Sequence, residues 1–182
     1  MTITLNRRLI FGLLVAVITI TGLVWAVPQL IQPAAAPEAS PEAVAANFAL
    51  AYYVADYRDS EKWLAALEPH MTEKGLRLIE AQVAPVVWES ISAAKFSNTP
   101  EQVSIVDKGL VAEGKSNLPQ PMAWQIQRVQ VTLAPEARWP GMSANTITLN
   151  VLLERPADGD SWKVSATLTD QSVTLFKQEN GQ

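Results

Sequence analysis

The longest uncharged stretch of the sequence lies near its start, and it constrains the chain more than any other feature. Leu9 to Val27 is a run of 19 residues without a charged side chain, and its apolar character continues to Ile31. At about 1.5 Å of rise per residue, a helix of this length crosses the roughly 30 Å hydrocarbon core of a bilayer once. The pattern therefore predicts a single transmembrane helix over residues 9–31.

The flanks of this run predict its orientation. Arg7 and Arg8 precede it, and the next basic residue is Arg58. Because positive charges favour the cytoplasmic side, residues 1–8 are predicted to form a cytoplasmic tail, and the chain beyond the helix is predicted to lie outside the cytoplasm. A cleaved signal peptide is the alternative, since Val24-Trp25-Ala26 fits a cleavage site. The length of the apolar run favours the uncleaved anchor.

Residues 32–40 and 41–182 differ in composition and are predicted to differ in structure. The first segment mixes Pro and Ala without apolar periodicity, which predicts an extended, semi-rigid linker. The second segment is long enough for one domain of ordinary size.

Charge and rare residue types exclude several functions. Apart from Arg7 and Arg8, the chain carries 12 basic and 18 acidic residues, a net charge of −6, so nucleic acid is not an expected partner. The absence of Cys excludes disulfides, thiolate metal sites and a Cys nucleophile, and the single His70 excludes a site with two imidazoles.

The first helix of the domain is predicted from its start signals. Ser40 is a capping hydroxyl, Pro41 suits the first helical position, and Glu42 places an acid in the first turn. Apolar residues at helical spacing then continue to about Arg58, so the helix is predicted to reach that residue and to be largely buried.

Two further helices are predicted before the strands. Ser60 is predicted to cap a short helix that closes at Pro69, and Thr72 to cap a third helix whose apolar face carries Leu76, Ile79 and Val83. Pro85 interrupts the third helix, so residues 86–95 are predicted to be either a kinked continuation or a separate turn of helix.

After Phe96 the apolar period changes to two, which predicts strands. Residues 147–153 and 162–168 alternate around a Pro-Ala-Asp-Gly-Asp turn and predict a β-hairpin. Residues 124–133 change phase at Arg128, which predicts a long strand with a bulge there. Residues 103–113 predict a weaker strand pair or a bent strand. Helices followed by antiparallel strands predict an α+β domain with its helices on one face of a twisted sheet.

Gly109–Ser116 reads GLVAEGKS and matches the nucleotide-binding P-loop pattern. In a P-loop, backbone N–H groups converge at the start of a helix whose first turn holds the Lys and the Ser. Here Pro119 and Pro121 follow, and two prolines forbid such a helix. The segment is therefore predicted to be an exposed Gly-rich loop between strands, and no nucleotide is expected as a partner.

The other chemistry-bearing residues form no catalytic pattern. His70 has no second His or Ser–Asp context and is predicted to be structural. Acidic and basic residues alternate in one short stretch, which predicts a solvated corner rather than a cation site: Asp56, Arg58, Asp59, Glu61 and Lys62. The sequence thus predicts no catalytic, cofactor-binding or metal-binding residue.

Five tryptophans fall in the domain, namely Trp63, Trp88, Trp124, Trp139 and Trp162. Core or pocket lining is the first expectation for them, and an aromatic binding platform is the alternative. If the domain has a pocket or an interface, the candidate lining residues are Tyr52, Trp63, Trp88 and Trp124.

Several residue runs resemble a known family. Phe48-Ala49-Leu50-Ala51-Tyr52 in the first helix, and Trp63 to Pro69 followed by Met71-Thr72, resemble the nuclear-transport-factor-2-like (NTF2-like, cystatin-like) cone over about residues 41–170. This cone is three helices packed on a curved antiparallel sheet. With one membrane helix and a Pro/Ala linker before it, the plan resembles the VirB8-like and TcpC-like conjugal-transfer proteins.

The resemblance implies a function and a set of partners. Proteins of this kind are bacterial membrane proteins that act as non-enzymatic assembly factors of conjugation and type IV secretion machines. The implied partners are the membrane, other subunits of a membrane complex and further copies of the chain, with no cofactor. The alternatives are a domain whose concave face binds a small apolar ligand or performs acid–base chemistry, and an accessory protein of another membrane complex.

Overall fold

Four helices precede the strands and one follows them in a computed structural model that describes residues 39–116, 122–155 and 161–179. The helices are α1 (Pro41–Tyr53), α2 (Ser60–Leu67), α3 (Glu73–Leu78), α4 (Ala84–Ala93) and α5 (Asp170–Glu179). The strands are β1 (Val103–Lys115), β2 (Ala123–Leu133), β3 (Thr146–Arg155) and β4 (Lys163–Leu168). Short 3₁₀ helices span Glu68–His70 and Pro100–Gln102, and a π turn spans Ile79–Val83. The predicted α+β class is confirmed.

The predicted tail (1–8), membrane helix (9–31) and most of the linker (32–40) lie outside the described residues, which begin at Ala39. Within the part of the chain that the structure describes, none of the helices has the length and apolar character needed to cross a bilayer.

Helix α1 starts as predicted but ends earlier. The Ser40 hydroxyl accepts a hydrogen bond from the Ala43 N–H at 3.3 Å. The helix stops at Tyr53 instead of continuing to about Arg58, because Asn98 holds the following residues in an extended conformation. The buried Asn98 side chain donates to the Tyr53 carbonyl at 2.8 Å and accepts from the Ala55 N–H at 2.9 Å.

The predicted cap is wrong by one residue for α2 and confirmed for α3. Asp59 caps α2 in place of Ser60, since its carboxylate accepts from the Lys62 N–H at 2.9 Å. Thr72 caps α3 as predicted, and its hydroxyl accepts from the Gly75 N–H at 3.0 Å.

The π turn joins α3 to α4 in one long helix. Its hydrogen bond runs from the Ala84 N–H to the Ile79 carbonyl, five residues back. Pro85 offers no N–H and its ring crowds the carbonyl four residues earlier, so the turn before it widens. Of the two alternatives for residues 86–95, the structure adopts the continuation, which lasts to Ala93.

The four strands form one antiparallel sheet in the order β1-β2-β3-β4. The predicted hairpin is confirmed as β3 and β4, although its turn residues 156–160 lie outside the described part of the chain. Strand β1 is the bent strand that was one alternative for its segment, with register shifts between Ile105 and Asp107 and between Leu110 and Ala112. Strand β2 pairs with β3 in continuous register, so the bulge predicted at Arg128 is wrong.

Two apolar faces explain the change of phase in β2. Val129, Val131 and Leu133 point into the core beneath α1–α4. Trp124 and Ile126 point to the opposite face, where Val173 of α5 covers them. The sheet is therefore covered on both faces, which corrects the prediction that all helices lie on one.

Candidate functional site

Three of the four candidate residues lie together between the helices. The Tyr52 and Trp63 ring centroids are 5.5 Å apart, and those of Trp63 and Trp88 are 5.6 Å apart. These rings come from α1, α2 and α4, so the contact joins three helices.

The same cluster contains rings that are not among the four candidate lining residues. Trp139 lies in the connection between β2 and β3, with its centroid 5.0 Å from Tyr53, 5.4 Å from Phe96 and 6.0 Å from Tyr52. No periodic pattern surrounds Trp139, so only its aromatic type marks it as a core candidate. We call this set the ring cluster: Tyr52, Tyr53, Trp63, Trp88, Phe96 and Trp139.

Four rings of the cluster are buried in the core, and Tyr52 and Trp88 are partly buried and packed against it. Trp63 is 2% exposed, and its indole N–H donates to the Tyr52 carbonyl at 2.9 Å. Burial raises the pKa of Tyr52, and burial followed by the proximity of Tyr52 raises the pKa of Tyr53. The protein's own side chains thus fill the space between the helices and the sheet.

Trp124 does not join the ring cluster. It lies on the other face of the sheet, 4.9 Å from the Phe176 ring of α5, and is buried there. A pocket that contains all four candidate residues is therefore not formed.

The P-loop-like segment is a strand rather than the predicted loop. Residues 109–115 belong to β1, and each residue except Val111 lies opposite a residue of β2. The backbone is extended along β2 and does not converge on a common point as a phosphate-binding loop requires. Pro119 and Pro121, which excluded the helix, lie outside the described residues.

The second glycine of that segment has a packing role. A Cβ atom at Gly114 would lie 2.6 Å from the Trp124 ring, whereas a Cβ at Gly109 would meet nothing within 4 Å. Trp124 thus packs over Gly114 across the two strands. Packing accounts for the glycine without any nucleotide.

A surface groove lies beside the ring cluster. It has a volume of about 470 Å³ and runs between the end of α1, the helix α2 and residues 98–100. Its apolar lining residues are Leu50, Ala51, Val54, Ala55, Trp63, Ala66 and Pro100.

The carboxylates at the groove rim are already engaged, and Lys62 lies beside them. Arg58 donates to the Asp56 carboxylate from Nε at 2.8 Å and from Nη2 at 2.5 Å. Hydrogen bonds from the Arg58 side chain and backbone lower the pKa of Asp56 from 3.8 to about 2. Asp59 caps α2, so the mixed-charge stretch forms an ordered surface corner.

His70 and the acidic residues assemble no centre in the described ranges. His70 is half-buried after α2, where burial and then the charge of Lys163 lower its pKa. Across residues 39–116, 122–155 and 161–179, no group of three or more His, Asp or Glu side chains is placed to hold a metal ion.

Comparison with known proteins gives one structural similarity. No protein-family model and no curated protein match the sequence. The chain is similar to the structure of a periplasmic fragment of TraM, with 13% identity and a TM-score of 0.48, over 69% of this chain and 91% of that chain. With a TM-score below 0.5 and so little identity, this similarity by itself establishes neither the fold family nor the function.

Proposed function

We propose that the protein is a non-enzymatic, membrane-anchored scaffold component of a bacterial conjugation or type IV secretion-like complex. The domain is proposed to be an NTF2-like cone that a helix over residues 9–31 holds outside the cell membrane. The residue runs in α1 and α2 that resemble the NTF2-like cone support the proposed domain. The plan of one membrane helix, a Pro/Ala linker and one such domain resembles the VirB8-like and TcpC-like proteins and supports the proposed role.

The filled interior is the observation that carries the proposal. Ligand-binding and catalytic sites are usually concave cavities with a few converging polar groups. Here the space between the helices and the sheet holds the ring cluster, whose centre, Trp63, is 2% exposed. A domain whose interior is filled in this way acts through its surface.

Exposed apolar side chains supply such a surface. Large hydrophobic residues that are at least 42% exposed occur on the long helix, on β1, in the connection after β2 and on α5: Leu78, Val86, Val106, Leu110, Met142 and Leu175. Single exposed apolar residues are ordinary, but a pair on one helix favours protein–protein contact.

The groove favours a second candidate function. Its volume of about 470 Å³ falls within the range typical of small-ligand sites, and its floor is apolar. A small apolar ligand is therefore the alternative occupant, and it would contact Trp63 but not Trp88 or Trp124.

Gene deletion in the native host tests the scaffold function. Loss of the chain should abolish conjugative transfer or secretion by its complex, and re-expression of the full-length chain should restore it. Re-expressed Lys115→Ala should restore it equally, because Lys115 is exposed on a strand and binds no phosphate in this proposal. Unchanged transfer after deletion would contradict the scaffold function.

A thermal-shift screen of the full-length protein against small apolar metabolites tests the alternative. Stabilisation by a ligand that is lost when Ala51→Trp fills the groove would favour the ligand-binding function.

A further inference from the structure

We draw no further inference here: the strongest candidate, the apolar groove beside α2 together with the exposed Leu78 and Val86 of the long helix, carries no proposal because nothing in the structure shows what covers either surface.

Discussion

Trp63 joins three helices through one side chain. Its ring contacts Tyr52 of α1 and Trp88 of α4, and its indole N–H donates to the end of α1 at 2.9 Å. It therefore fixes the relative positions of α1, α2 and α4.

Truncation of Trp63 measures this role. Trp63→Ala should lower the free energy of unfolding by about 3–5 kcal/mol, because it leaves a cavity in a packed core. Trp63→Phe should lower the free energy of unfolding much less, since it keeps an aromatic ring and removes one hydrogen bond of about 1 kcal/mol. Urea unfolding followed by circular dichroism gives both values. A loss below about 1 kcal/mol for Trp63→Ala would contradict the placement of this ring in the packed core.

Gly114 and Gly109 form a matched pair in one strand. Gly114→Ala should destabilise the protein by about 1–3 kcal/mol, because the new Cβ forces the buried Trp124 ring to move. Gly109→Ala should be neutral or slightly stabilising, since its Cβ meets nothing within 4 Å and Ala restricts the unfolded chain. Thermal unfolding of both variants checks this difference. Equal effects would refute the packing of Trp124 over Gly114.

Helix α5 covers the second face of the sheet through two residues. Val173 is buried against Trp124 and Ile126, and Phe176 meets the Trp124 ring. Arg128 and Asn150 both donate to the Asp170 carboxylate at the start of this helix, at 3.3 Å and 2.9 Å. A helix of ten residues is marginal alone, so this packing stabilises it.

Charge substitution on α5 tests its attachment. Val173→Asp should destabilise the protein by more than about 2 kcal/mol and increase the binding of a fluorescent apolar dye, because it places a carboxylate at a buried position. Leu175→Asp, two residues along and 53% exposed, should change stability by less than about 0.5 kcal/mol. Similar effects of the two substitutions would contradict the placement of α5.

Local signals predict most of these elements, and tertiary contacts decide the rest. Caps and periodicity place α1, α3 and the β3–β4 hairpin. The end of α1 could not be predicted, because Asn98, more than 40 residues away, sets it. Thr169 is a local signal for the start of α5, since its hydroxyl accepts from the Ser172 N–H. Few apolar residues follow it, so their periodicity does not predict the helix.

The residues of the ring cluster also divide into those that local patterns predict and those that only tertiary contacts bring together. Tyr52, Trp63 and Trp88 meet because they lie on the inner faces of three adjacent helices. Trp139 joins them from a connection without periodicity, which no local pattern could reveal. A sheet that is covered on both faces could have been inferred from the phase change in β2. A bulge and a second covered face produce the same change in the alternation of apolar residues.

At the scale of the whole molecule, the chain is predicted to have one orientation in the membrane. A reporter fused after Gln182 should be active only outside the cytoplasm, because Arg7 and Arg8 favour the cytoplasmic side. The full-length protein should remain in the membrane fraction after a high-salt wash. Release of a form that begins at Val27 would contradict the uncleaved anchor.

A scaffold must lie beside its neighbours in the membrane in which it works. The full-length protein, expressed at its native level in its own host, is treated with an amine-reactive crosslinker and detected after denaturing electrophoresis. We expect larger species that contain further copies and other subunits of the membrane complex, and we expect the mixed species to disappear when the genes of that complex are deleted. A single monomer band, under conditions that crosslink a known membrane oligomer in the same cells, would contradict the scaffold function.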